Sequence, residues 1–155
     1  MTEPRPSVAV LDTQIVLDLL HFADPRTAEL SVAILHGNLR CFCDRRCFGE
    51  FERVLAYPQF ALDTDSRQAL LVRYRALTTF CEAPDDETEV LPRCRDADDQ
   101  KFLQLAVRCR AELLITRDRK LLRLSGDRRL PFAIVDAPQA ASRLAACGRA
   151  YHGSP

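Results

Sequence analysis

No apolar run in this sequence approaches the ~20 residues that a membrane-spanning helix needs, which argues against a spanning segment. The first residues, MTEPRPSVAV, lack the basic stretch and long apolar segment of a signal peptide. An untargeted, cytoplasmic protein is therefore the expectation. Charge of one sign is also missing: 22 Lys and Arg balance 22 Asp and Glu, for a formal net charge of +0. A protein that holds nucleic acid through electrostatics alone is usually basic, so this balance argues against that class. It leaves open an enzyme acting on nucleic acid, because carboxylates held for a metal offset the basic residues that grip phosphate. Paired cysteine motifs are absent too. Cys41, Cys43, Cys47, Cys81, Cys94, Cys109 and Cys147 are odd in number and contain no CxxC pair. That spacing suits a structural zinc poorly and points to reduced, mostly buried thiols. His21, His36 and His152 stand in no ligand spacing to one another and read as surface or packing residues. Internal repeats and low-complexity tracts are lacking.

What is present is a mixture of 47% hydrophobic and 28% charged residues, the balance of a globular domain. The expectation is a single domain over residues 1–155, with its core at about 7–147 and a frayed tail at 148–155. The apolar run Ser7–Leu11 predicts a buried parallel strand, and Ile15, Val16, Leu19 and Leu20 follow at helical spacing. Thr27–His36 reads as a helix stopped by Gly37-Asn38, and Leu39–Cys43 as a second strand. Asp44 is placed to cap a helix over Arg45–Ala56, with Phe48, Phe51, Val54 and Leu55 on one face. Asp63 or Asp65 caps the next helix, which turns Leu70, Leu71, Tyr74 and Leu77 inward. Cys81–Pro92 reads as a connecting loop with room for a short edge strand at Glu89-Val90-Leu91. Next comes the most informative stretch, Cys94–Asp118. It opens on Asp96, Asp98 and Asp99, continues as a helix through Phe102, Leu103, Leu105, Ala106 and Val107, and ends as a strand, Leu113–Ile115, followed by Thr116-Arg117-Asp118. A helical turn at Lys120–Leu124, a strand at Phe132–Val135 and a helix at Pro138–Ala146 close the chain. Strands alternating with helices predict an α/β domain with a mainly parallel central sheet of four to five strands.

Four acids stand out by context. Asp12 follows the first strand, Glu50 lies near the apolar face of its helix, Asp99 begins a helix, and Asp118 follows a buried strand. Sites in open parallel sheets form just outside the carboxyl ends of the strands. If the first and fourth strands are neighbours, Asp12 and Asp118 share a sheet edge, and the helices carrying Asp99 and Glu50 can close around them. Gathered carboxylates repel one another unless protons or a cation neutralise them. Oxygen donors with no His or Cys among them favour Mg²⁺ or Mn²⁺ over zinc. One or two such ions can activate water and stabilise the leaving oxygen in phosphodiester hydrolysis.

At these residues the sequence resembles the PIN-domain ribonucleases, and among them the VapC-like toxins. Val10-Leu11-Asp12-Thr13-Gln14 is similar to the family's opening hydrophobic-Asp-Thr-Asn motif. Glu50 in EFERVLAYPQF falls where a glutamate precedes Val-Leu and Pro-x-Phe. DADDQKFLQLA resembles the Asp-Pro-Asp-Asp helix start, and LITRDRKLL the Thr-x-Asp motif that ends a strand. The matches run in order from Val8 to about Val135. The resemblance implies a three-layer α/β/α fold, a Mg²⁺- or Mn²⁺-dependent endoribonuclease, an RNA substrate, an antitoxin partner and a homodimer. It makes Asp12, Glu50, Asp99 and Asp118 the catalytic and metal-binding quartet, with Thr13, Gln14, Asp96 and Thr116 in support. Arg117 and Lys120 are candidates for contact with the RNA backbone. Two positions depart from the pattern: Gln14 stands where the family usually has Asn, and Ala97 stands in place of Pro.

Each of these residues also has a plainer reading. Asp96 and Asp99 make a good helix cap and first-turn carboxylate, Asp12 and Asp118 can be ordinary caps, and Glu50 can be a solvated helix residue. Two functional rivals follow: a PIN-like module that binds RNA or protein without cutting, and a small-molecule phosphohydrolase using the same acids. A haloacid-dehalogenase-like reading fails because no second Asp stands two residues after Asp12.

Overall fold

The computed structural model describes residues 4–84 and 90–152, with side chains described as far as Cys147. Five strands form its centre: β1 (Ser7–Leu11), β2 (Leu39–Cys43), β3 (Thr78–Phe80), β4 (Leu113–Ile115) and β5 (Ala133–Val135). All pair in parallel, in the order β3-β2-β1-β4-β5. The connecting helices are α1 (Thr13–Leu20), α2 (Ala28–Leu35), α3 (Arg45–Leu55), α4 (Thr64–Leu77), α5 (Gln100–Arg108), α6 (Arg119–Leu122) and α7 (Ala137–His152). They flank the sheet in a three-layer α/β/α arrangement, as the resemblance implies, around the parallel sheet that the alternating pattern predicts.

Central strands of a parallel sheet are covered on both faces and read as continuous apolar runs. Ala9, Val10 and Leu11 of β1 and all three residues of β4 are accordingly buried. The chain winds outward from β1 through β2 to β3, then crosses to β4 and β5 on the other side. The direction of winding thus reverses between β1 and β4. Crevices open at such a reversal, beyond the carboxyl ends of the two strands. The register pairs Leu11 with Ile115, so the residues that follow, Asp12 and Thr116, emerge side by side.

Helix packing brings the other two acids to this end of the sheet. α5 buries Phe102, Leu103, Leu105 and Ala106 and lies over β1 and β4. α3 buries Phe51 and Leu55. The Phe51 ring meets Tyr74 of α4 edge-on at 4.8 Å, and the Phe48 ring stacks on Tyr74 at 5.7 Å. Asp44 caps α3, accepting from the Cys47 N–H at 2.8 Å. Its other oxygen takes a 2.9 Å ion pair from Arg108 at the end of α5, so a mostly buried charge pair clasps α3 to α5.

Several local expectations change. β3 was unforeseen: Thr78-Thr79-Phe80 leaves α4 directly as an edge strand, with no turn residue to announce it. Of the edge strand expected at Glu89-Val90-Leu91, Glu89 lies outside the described residues, and Val90 and Leu91 are not in a strand. The second helix is preceded by a 3-10 turn at Pro25–Thr27, and Gly37 ends it at φ +77°, where a residue without Cβ is unstrained. Asp63, rather than Asp65, caps α4 by accepting from the Ser66 N–H at 2.7 Å. α7 runs past Ala146 to His152, and residues 153–155 lie outside the described residues. No helix among the described residues is long and apolar enough to cross a membrane.

Candidate active site

Asp12 is held where β1 turns into α1. Its N–H donates to the Ile115 carbonyl at 3.0 Å, and its Oδ1 accepts from the Gln14 N–H at 3.4 Å as the cap of α1. The fully buried Thr116 hydroxyl donates to Asp12 Oδ2 at 2.6 Å and accepts from the Asp118 N–H at 3.0 Å. This relay locks the loops after β1 and β4 together, and each hydrogen bond polarises the next. Burial raises the Asp12 pKa most. The Thr116 hydroxyl and the Gln14 N–H oppose that rise, while Glu50 and Asp118 add to it. Asp118 itself caps α6, accepting from the Lys120 N–H at 2.8 Å.

Asp99 ends a 3-10 turn, Ala97–Asp99, that leads into α5; Asp96 caps the turn, accepting from the Asp98 N–H at 3.0 Å. Asp99 Oδ2 is buried with no hydrogen-bond partner. Its carboxyl is pushed up to about 7, first by burial and then by the charges of Asp12, Asp118 and Asp96. An orphaned carboxylate oxygen facing two further acids is a site with too much negative charge.

Glu50 is satisfied differently. Lys101 Nζ pairs with its Oε1 at 2.7 Å, and the Thr13 hydroxyl donates to its Oε2. Gln14 does not use its side chain on Asp12: its Nε2 donates to Asp18 Oδ1 at 3.1 Å. Arg117 reaches the same buried Asp18, with its Nε 3.0 Å from Oδ2. All four acids line one cleft of about 470 Å³, with Thr13, Gln14 and Arg117. Asp96, Thr116 and Lys120 stand outside that lining; Lys120 is exposed and meets the site only through its backbone N–H. Among the described residues, no three His, Cys, Asp or Glu side chains are drawn together closely enough to hold a metal ion.

The profile of the PIN domain matches residues 8–120, nearly three-quarters of the chain and all four acids. The chain belongs to the PIN-domain family. Solved structures share its fold. PAE2754 from Pyrobaculum aerophilum superposes with a TM-score of 0.60 at 19% identity, covering 90% of this chain and 96% of that one. VapBC2 from Rickettsia felis, solved bound to a DNA fragment from its promoter, superposes with a TM-score of 0.56 at 12% identity, covering 83% of this chain and 98% of that one. No curated protein matches the sequence.

Two residues that hold side chains of this PIN domain's cleft in place escaped the sequence reading. Lys101 lies two positions beyond Asp99, but its partner Glu50 is 51 residues away, and nothing local announces the pair. Asp18 gave a faint signal: a carboxylate inside the apolar run of α1, four residues from Gln14, needs a partner to be buried there.

Proposed function

We propose that this PIN domain is a metal-dependent endoribonuclease and the toxin of a bacterial toxin–antitoxin pair. The observation that carries this reading is the unpartnered Asp99 Oδ2 in a cleft shared with Asp12 and Asp118. Three hard-oxygen carboxylates under mutual repulsion fit a divalent cation such as Mg²⁺ or Mn²⁺. As they stand, no three of these acids are close enough together to hold it; Asp12, Asp99 and Asp118 would draw in around the ion, with Glu50 at the edge of the set. Bound there, the cation would supply Lewis-acid activation of water and neutralise charge on the phosphate.

The chain's own residues set the remaining terms. Thr116 fixes the orientation of Asp12 and favours its ionised form. Burial and its acidic neighbours push the Asp99 carboxyl up to about 7 in the metal-free cleft, so taking up the cation would release a proton there. Lys101 holds Glu50, and Arg117, anchored on Asp18, presents its half-exposed guanidinium to a phosphate backbone entering the cleft. In-line attack of water at phosphorus would leave a 5′-phosphate and a 3′-hydroxyl. The likeness to VapBC2, a toxin–antitoxin pair by its name, supports the partnership with an antitoxin.

The test is cleavage of a labelled RNA pool with EDTA, Mg²⁺ or Mn²⁺, beside Asp12→Asn and Asp118→Asn. Cutting that needs the metal and is lost in both variants is expected. RNA left intact at every metal concentration, with binding retained, would favour the second reading, a PIN-like module that binds without cutting. The Lys101–Glu50 pair favours that alternative, because it already gives one acid a built-in cation.

A further inference from the structure

Beside the acids, the cleft is lined by aromatic rings that the proposed chemistry does not use. Tyr57 and Phe60 stand in the same lining as Asp12, Glu50 and Asp118. Phe60 continues into a cluster at the end of α1, with its ring 6.2 Å from Phe22 and 6.0 Å from His21, and with His21 and Phe22 4.7 Å apart. Phe22 and Tyr57 leave about half of their surface in water, 52% and 49%. Large exposed rings gathered beside a charged cleft form an apolar patch of the kind that marks a binding surface.

Both segments that present these rings are bent by a non-glycine residue in the left-handed region. Ala23 follows Phe22 at φ +48°, and Ala61 follows Phe60 at φ +49°. Such conformations are costly for a residue with a Cβ, so the surrounding structure holds both turns in place. The third such residue, Arg110, lies elsewhere, after α5. Arg117 adds a cation to the same cleft.

Acids, a guanidinium and the rings of Tyr57 and Phe60 in one groove, with Phe22 packed beyond Phe60, match the needs of one polymer. A single-stranded nucleic acid carries a phosphate every nucleotide and flat bases that stack on aromatic faces whatever their sequence. A duplex keeps its bases stacked internally and offers no free face. We propose that Phe22, Tyr57 and Phe60 form a stacking platform for unpaired RNA bases next to the phosphate at the acidic cleft. This rests on the ribonuclease reading and adds to it the side chains that would receive the bases flanking the phosphate at the acids.

The chain contains no tryptophan, so Phe22→Trp places a lone fluorescent reporter in the platform. Binding is followed in EDTA, where cleavage does not interfere, through the anisotropy of a labelled single-stranded oligoribonucleotide. Its abasic counterpart of equal length and charge serves as control. RNA should quench the tryptophan emission at the concentration that saturates anisotropy, and the abasic strand should leave it unchanged. Phe22→Ala and Tyr57→Ala should each weaken binding of the base-bearing strand about tenfold and leave the abasic strand unaffected, and Tyr57→Phe should restore binding. A complex that forms without quenching, or equal weakening toward both strands, overturns the platform and leaves the ribonuclease reading intact. Failure of the unmodified protein to bind any RNA overturns both, and would turn attention to a protein partner on these rings.

Discussion

Replacing Asp99 with Asn should stabilise the metal-free protein, by an amount that depends on pH. Its carboxyl rises from 3.8 to about 7 in the folded chain, so folding disfavours the ionised form. Each unit is worth about 1.4 kcal/mol, and the full shift would reach roughly 4 kcal/mol. Asp99 is only partly buried, and solvent screening reduces the net effect to on the order of 1–2 kcal/mol. The sign follows from proton linkage. Below 3.8 the group is protonated in both states and costs nothing. Between 3.8 and about 7 the unfolded chain has released its proton while the folded chain retains it. Stability therefore falls as pH rises through this window and levels off above it. The assay is thermal unfolding of the protein and of Asp99→Asn in EDTA, from pH 4 to pH 8. The variant's advantage should grow across the window to roughly 2–8 °C in melting temperature and then stay constant. Mg²⁺ at a hundredfold excess over its dissociation constant should stabilise the unmodified protein by about 2.7 kcal/mol and the variant by less. Parallel melting profiles at every pH, or a variant that melts lower throughout, would refute the claim that this carboxyl is held under electrostatic strain.

Three further outcomes are expected. Thr116→Val removes the hydroxyl on Asp12 Oδ2 and should cost about 1.5–3 kcal/mol; because it pushes the Asp12 pKa higher still, urea midpoints should fall more at pH 8 than at pH 4. Lys101→Met strips Glu50 of its cation and should destabilise the metal-free protein by on the order of 2 kcal/mol; melting curves should show millimolar Mg²⁺ recovering more stability in this variant than in the unmodified protein. Arg108→Met leaves Asp44 buried and uncompensated and should cost about 3–5 kcal/mol in denaturant titrations, while the folded fraction keeps any cleavage activity, because neither residue lines the cleft.

The sequence announced those parts of this site that are local in the chain. A carboxylate directly after a buried apolar strand is visible at Asp12 and again at Asp118, and both lie where the pattern put them. The acid-rich start of α5 was equally plain, although the structure places Asp99 at the end of a 3-10 turn rather than inside the helix. That β1 neighbours β4 was not legible, because parallel pairing across most of the chain leaves no mark on either strand. β3 escaped for the opposite reason: it follows α4 without a breaker, so helical periodicity runs straight into it. Gln14 stands two residues after Asp12, where the family usually has Asn. Its longer side chain turns toward Asp18, donating a hydrogen bond to a carboxylate buried in α1 whose charge Arg117 offsets.

The hydrogen bond from Thr116 to Asp12 spans 104 residues of sequence, and this separation has a consequence for how the protein comes into being. Contacts between distant residues must first meet the entropy of closing the loop between them, and they slow folding accordingly. During synthesis, β1, β2 and β3 can associate before β4 has left the ribosome, yet no such intermediate contains the cleft. Its mutually repelling acids converge only when β4 takes its place beside β1, so their repulsion opposes that pairing. A truncated or half-folded chain therefore carries the first motif of the site without the site itself.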